Sequence, residues 1–410
     1  MVVGGDRVAW LGPLSQLPER FASVGLVDQR RGVITPGLVN AHTHLQYSRF
    51  SDLGRKSYES FEQWAYAFEV VFDAVTDPPF WTESALEGTR QAIAGGTTVF
   101  AETITNVEAR GAIASCGVTG IEYLEEIGQT EVTWKQARAR FLACLDQPNA
   151  TPTGISPHAL YSLDPSVIRD LLSIAAERGL RIHSHVAESA MEADLYRTGD
   201  PAVVEIYSDH RKLELVRRGG TGLETAQYAD SLGLLSPTTH LAHGVYLDRA
   251  GRDLLLERGT QVALCPRSNA ALGVGPAPVA AYLSEGHEIA VGTDSLASSP
   301  SLDLLADVAL LADIAAEQGY TGSDLAARLL RAATVGGAKA LGLYAGGYGT
   351  LSPGGPADLA VFDVDVTDNG VEAALVAEGE GRCTLTVAGG RVVHDAAGLA
   401  TTLPAPHRSS

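Results

Sequence analysis

A chain of 410 residues, 45% apolar and with 44 glycines, is long enough for one large α/β barrel, alone or with a smaller companion. Its formal charge of −19, from 30 basic against 49 acidic residues, argues against nucleic acid and anionic membrane surfaces as partners, since both need a basic footprint. Four scattered cysteines, no secretory signal in residues 1–12 and no apolar run near the roughly 18 residues of a membrane span predict a cytoplasmic protein with reduced thiols.

Residues 2–11 give two short apolar runs around Gly4-Gly5-Asp6, a hairpin signal. Residues 33–44 follow, an apolar run broken by Pro36-Gly37 that ends in His42-Thr43-His44. On an extended chain, residues two apart face the same way, so one strand can offer both imidazoles to one metal ion. Further strand-like runs fall at residues 97–104, 117–124, 153–158, 180–186, 239–244, 261–265 and 288–294, making eight. Helix-like segments alternate with them: Pro165–Arg178, with Asp164 as N-cap and Gly179 as C-cap, and residues 248–258, 276–285 and 302–318. This alternation predicts a (β/α)8 TIM-type barrel over residues 31–345. Short strand-like runs at 358–364 and 384–393, the second turning at Gly389-Gly390, pair by character with the N-terminal ones. They predict a small β-sandwich domain built from both chain ends, residues 1–30 and 346–410, with a loose tail from about Thr401.

In such barrels chemistry sits at the C-terminal ends of the strands. Of 11 histidines, six close a strand-like run: His42, His44, His158, His183, His185 and His243. Asp294 closes the eighth run. His42, His44, His185 and Asp294 can converge on one divalent cation and leave room for a water whose pKa the ion lowers from about 15.7 towards neutrality. Imidazole suits zinc, iron, nickel and copper alike. None of Lys56, Lys135, Lys212 and Lys339 ends a strand-like run, so a single ion is expected; Glu102 and Glu122 are the groups that would bridge a second. Glu188, three residues past His185, is placed either to pass a proton to a substrate or to interact with a helix N-terminus. His243 either orients and deprotonates the water or supports the site from behind. His183 shares a face with His185 but lies one step deeper, where structural support is expected.

His42-Thr-His44, His183-Ser-His-Val-Ala-Glu188, Leu241-Ala-His243-Gly and Gly292-Thr-Asp294-Ser together resemble the amidohydrolase superfamily, in its branch of mononuclear aminohydrolases and chlorohydrolases. The resemblance spans about residues 31 to 345, and the chain ends are similar to that family's composite β-sandwich. It implies His42, His44, His185 and Asp294 as ligands of one zinc, or alternatively iron, with Glu188, His243 and Asp294 as catalytic proton-transfer groups. Within the branch, Ser156-Pro-His158-Ala-Leu-Tyr161-Ser, Cys265-Pro-Arg-Ser-Asn269 and Gly292-Thr-Asp-Ser-Leu-Ala-Ser298 are most similar to the 6-aminodeoxyfutalosine deaminases of menaquinone biosynthesis. Gln46 departs from that pattern, which has Glu near this position. His158 and Asn269 are the implied substrate-binding residues, each with a purely structural alternative. The expected partner is a small purine nucleoside, and a homodimer is left open. The alternatives are a deaminase of adenosine, S-adenosylhomocysteine or 5′-methylthioadenosine, a guanine deaminase, a triazine chlorohydrolase, or a barrel without catalysis.

Overall fold

The computed structural model describes residues 1–28, 32–200, 214–366, 368–396 and 398. The tail expected from Thr401 lies outside them. Fourteen strands can be numbered in chain order among the described residues, and eight of them form one parallel sheet. These are β4 (Leu38–Thr43), β5 (Thr97–Ile104), β6 (Thr119–Glu126), β7 (Thr153–Pro157), β8 (Ile182–Val186), β9 (Thr239–His243), β10 (Gln261–Leu264) and β11 (Ala290–Val291). Each pairs with its sequence neighbour. A parallel bridge between Thr43 and Asp294, with the Asp294 amide donating to the His42 carbonyl at 3.0 Å, brings the eighth strand back to the first. Asn40 adds a side-chain clasp, donating from Nδ2 to Thr293 Oγ1 at 2.8 Å and accepting from the Thr293 amide at 3.1 Å. The eight-stranded barrel is therefore closed at its first and last strands.

All residues of β4 and β5 are buried, as expected for strands covered by helices outside and packed side chains within. The helix Pro165–Arg178 has its expected bounds and ends on Gly179 in the left-handed region, φ 63°. Asp164 stands at its N-cap but makes no capping bond there. Its carboxylate accepts instead from the amides of Glu131 and Glu214, so it ties three segments together.

The run at 33–44 is two strands in two sheets. The strand β3 (Val33–Pro36) pairs antiparallel with β12 (Leu359–Phe362), and the chain crosses to the barrel at Gly37. A Cβ at Gly37 would lie 2.1 Å from Thr98 Oγ1, so only glycine fits this crossing. The second sheet continues through β13 (Cys383–Ala388) and β14 (Arg391–Asp395), in the order β14-β13-β12-β3. The Gly389-Gly390 turn has φ of 53° and 72°, the doubly positive geometry of a tight hairpin. Alternation along β12 divides its side chains between two layers. Ala360 and Phe362 face the barrel core, while Leu359 and Val361 join Leu385, Val387, Met1 and Leu351 in a separate small core. The hairpin of β1 (Val2–Gly4) and β2 (Arg7–Trp10) attaches beside it, with the Val8 amide donating to the Gly355 carbonyl. No described helix is long and apolar enough to cross a membrane.

Candidate active site

Four of the barrel strands deliver the residues of one cluster to one end of the barrel. His42 and His44 come from the end of β4, His185 from β8, His243 from the last residue of β9, and Asp294 from the segment after β11. A ring nitrogen from each of His42, His44 and His185 lies within 4.8 Å of the other two, and His42, His243 and Asp294 form an equally tight group. His44 Nε2 is 3.1 Å from His185 Nε2, and Asp294 Oδ1 is 3.5 Å from His42 Nε2 and 3.9 Å from His44 Nε2. The four residues read from sequence as ligands are thus brought together, with His243 beside them.

Backbone carbonyls decide which nitrogens stay free. A carbonyl only accepts, so the His240 carbonyl, 3.1 Å from His183 Nδ1, puts the proton of His183 on Nδ1. His183 Nε2 must then accept from His42 Nδ1 at 2.7 Å, which leaves the lone pair of His42 on Nε2. That atom is buried and has no hydrogen-bond partner. The His158 carbonyl, 2.7 Å from His185 Nδ1, leaves His185 Nε2 as its lone-pair atom in the same way. Asn269 Oδ1, 3.1 Å from His243 Nδ1, does this for His243, whose Nε2 is also buried and unpartnered. Burial holds His42, His44, His185 and His243 below the ordinary histidine range, so the rings are neutral. Burial opposes ionisation of Asp294, but the surrounding rings, His42 first, hold its carboxyl below the usual range. Ser268 and Ser298 donate to its Oδ2 at 2.7 and 2.9 Å, leaving Oδ1 for the cluster. Neutral imidazole lone pairs and one carboxylate oxygen, orphaned in a buried space, are the donor set of a divalent cation. Two nitrogens 3.1 Å apart also fit ligands each about 2.0–2.1 Å from one ion.

Glu188 Oε1 lies 3.5 Å from His243 Nε2. Burial, reinforced by nearby Asp294, pushes its carboxyl up to about 8, so it is a neutral acid near pH 7. Glu192 Oε2 accepts from the Glu188 amide at 2.9 Å, and Tyr196 donates to Glu192 Oε1 at 2.9 Å, which fixes the turn carrying Glu188. Among the described residues only Ala187, His243 and Asp294 are non-glycine residues with positive φ (58°, 75° and 58°), and all three sit at strand ends of this site. Such strain persists where surrounding structure over-determines the backbone.

His158 is half-buried beside His185, its ring Nδ1 3.1 Å from Ser162 Oγ. Asn269 is fully buried behind His243, so its amide oxygen is spent on that ring. Glu102 and Glu122 are not spare ligands. Glu102 accepts from Thr43 Oγ1 and the Leu45 amide, and Glu122 from the Gly111 amide and Asn149 Nδ2. One further acid escaped the sequence reading. Glu125 lies one residue beyond the run expected at 117–124, since the strand continues to Glu126, and burial raises its carboxyl to about 8.

A model of the amidohydrolase family matches residues 33–393. Two curated relatives, both named 5-methylthioadenosine/S-adenosylhomocysteine deaminase, come from Nitratidesulfovibrio vulgaris and Haloarcula marismortui. The first is 28% identical over 404 residues, covering 95% of this chain and 85% of its own. The second is 31% identical over 359 residues, covering 83% and 74%. Among solved structures, an adenosine deaminase from Xanthomonas campestris with bound zinc superposes with a TM-score of 0.72 at 25% identity, over 89% of this chain and 81% of its own. A Helicobacter pylori aminofutalosine deaminase in complex with methylthio-coformycin has a TM-score of 0.80 at 19% identity, over 95% and 94%, a likeness of fold.

Proposed function

The chain belongs to the amidohydrolase family, and we propose that it is a metal-dependent deaminase of an adenine-type nucleoside. It is a hydrolase of C–N bonds in cyclic amidines. His42, His44, His185 and Asp294 would hold one divalent ion, zinc before iron. Such an ion, when bound, supplies Lewis-acid activation of a water at neutral pH. The observation that carries the reading is the neutral acid Glu188 standing 3.5 Å from His243 at the edge of that donor cluster.

Adenine C6 is an amidine carbon. Attack of a water oxygen there forms a C–O bond and moves the ring π electrons onto N1, which needs a proton. Glu188 supplies it. Asp294, ionised, takes the proton given up by the attacking water and delivers it to the C6 amine as the C–N bond breaks. As the C6 carbonyl forms, the remaining hydroxyl proton returns to Glu188, and the products are the hypoxanthine analogue and ammonia. His243, held by Asn269 through Nδ1, would present its Nε2 lone pair to the attacking water, accept a hydrogen bond from it and hold it in line.

Two classes of 5′-substituted adenosine are the leading substrates. Resemblance in segments 156–162, 265–269 and 292–298 favours 6-aminodeoxyfutalosine, converted to futalosine. The names of the curated relatives favour 5′-methylthioadenosine and S-adenosylhomocysteine. Ammonia release and the purine absorbance shift, read side by side as kcat/KM, decide between them. A tenfold preference for either class rejects the other, and no turnover of any adenine compound rejects the deaminase reading.

A further inference from the structure

Consecutive residues of the short helix Pro266–Ala271, which follows β10, reach in opposite directions. Ser268 and Asn269 reach inward, to Asp294 Oδ2 and to His243 Nδ1. Arg267 reaches outward, to Asp307 on the helix Leu304–Glu317. Its guanidinium is held on every nitrogen. Nε donates to Asp307 Oδ2 at 3.0 Å and Nη1 to Ser301 Oγ at 2.7 Å. Nη2 is shared among Asp307 Oδ2 and the carbonyls of Ser301 and Asp303, at 2.8, 2.8 and 3.0 Å. The Arg267 amide adds a bond of 3.3 Å to Asp307 Oδ1, so main chain and side chain grip one carboxylate. The Arg267 side chain is 10% exposed and that of Asp307 is wholly buried. An apolar pair of similar volume could fill such a place without loss of stability, so what a fixed planar fork adds is direction.

The segment gripped by the fork is the one that leaves Asp294. Ser301 lies three residues past Ser298, and its carbonyl also accepts from Ser299 Oγ at 3.1 Å. The amides of Ser298 and Ser299 donate to the Ser295 carbonyl at 3.1 and 2.8 Å, which makes one tight turn directly after Asp294. Ser298 and Ser268, both fully buried, donate to the same oxygen of Asp294, Oδ2. One of these hydroxyls stands next to Arg267 in the chain, and the other sits in the turn that Arg267 holds. The guanidinium therefore sets the distance between the two hydroxyls that bracket Oδ2. Were that distance to open, the carboxylate could rotate about its Cβ–Cγ bond, and Oδ1 would leave its position facing the rings of His42 and His44.

We propose that Arg267 is a positioning residue for the deamination step. Acting through Ser268 and Ser298, it keeps Asp294 turned so that Oδ1 faces the histidine cluster and can take the proton of the attacking water. The inference rests on the deaminase reading. Arg267 touches no reacting atom, and its effect reaches Asp294 only through the two serine hydroxyls.

The test is a double-mutant cycle on the full chain at saturating zinc, with the best adenine nucleoside as substrate. Arg267→Lys keeps a positive charge beside Asp307 but has no fork for Ser301 and Asp303. Its kcat should fall about 10- to 100-fold, the scale for a group that orients a metal ligand from behind, while KM stays within about twofold because nucleoside binding does not depend on the proton transfer. Zinc affinity of the metal-free protein, read by competition with a chelating dye and needing no turnover, should weaken by about 10-fold. In a Ser268→Ala or Ser298→Ala background, adding Arg267→Lys should cost at least about threefold less in kcat than it costs the wild type, because part of its route to Asp294 is already gone. Ser301→Ala, which removes only the Nη1 bond, should move kcat and zinc affinity the same way to a smaller extent, and it carries the cycle if Arg267→Lys does not fold. An Arg267→Lys protein that melts lower yet keeps kcat and zinc affinity makes the fork a tie for the fold alone and overturns the proposal while deamination stands. Losses that multiply independently with both serine variants overturn it too. If the wild type turns over no adenine nucleoside, the deaminase reading fails and this proposal falls with it.

Discussion

At the scale of single residues, Glu188 stands out as a buried acid beside a neutral imidazole and an ionised aspartate. An acid raised to about 8 donates its proton below that pH and loses it above. The pH profile of kcat/KM should therefore hold near neutrality and fall as pH rises through about 8, and a profile flat to pH 10 would reassign the proton donor. Glu188→Gln, which keeps size but carries no proton, should lower kcat by about 10² to 10⁴. Stability moves in the same direction. A carboxyl whose folded pKa lies above its unfolded one favours folding at low pH, and that advantage is lost between about 4.5 and 8. Relative to wild type, Glu188→Gln should therefore melt higher at pH 9 than at pH 6.

At the scale of elements, the site depends on how the segment after β4 is pressed into place. The turn Leu45–Phe50 follows His44 directly, and the helix Pro79–Ala94 lies on it through Gly88. A Cβ at Gly88 would lie 1.9 Å from Ser48 Oγ and 3.2 Å from the Leu45 carbonyl. Alanine there gains about 1 kcal/mol of helix propensity, but overpacking of this kind costs about 1–3 kcal/mol. Gly88→Ala should lower the melting temperature by a few degrees and loosen His44, which differential scanning calorimetry and metal titration would detect. The barrel was legible in the chain because eight apolar runs alternate with capped helices, and the histidines mark where those runs end. The division of residues 33–44 between two sheets was not legible, since apolar β-like residues on both sides of Pro36-Gly37 give one continuous signal. Glu125 was hidden for a related reason. Its partner Thr105, and Gln46 and Tyr47 that bond Thr105, lie past the ends of other strands, and only the pairing of β4, β5 and β6 brings them together.

At the scale of the whole molecule, an ion held only by the folded chain would be a stabilising ligand. At a free concentration 1,000 times its Kd it would add about 4.1 kcal/mol. Chelation should lower the melting temperature, and added zinc should restore it. In His42→Ala that difference should shrink along with activity. A melting temperature indifferent to chelator in an active sample would count against the site.

The clasp between the first and last barrel strands bears on the order in which the molecule comes together. Asn40 and Thr293 are 253 positions apart, yet they share the rung that sets His42 beside Asp294. During synthesis the two N-terminal imidazoles leave the ribosome long before the aspartate exists, so a nascent chain holds an incomplete and exchangeable set of donors. Contacts of such long range form late. Tight ion uptake would then report ring closure rather than seed it. In stopped-flow refolding, the signal of a zinc-sensitive dye should change in the same slow phase that restores the fluorescence of Trp64 and Trp81, with no faster uptake ahead of it.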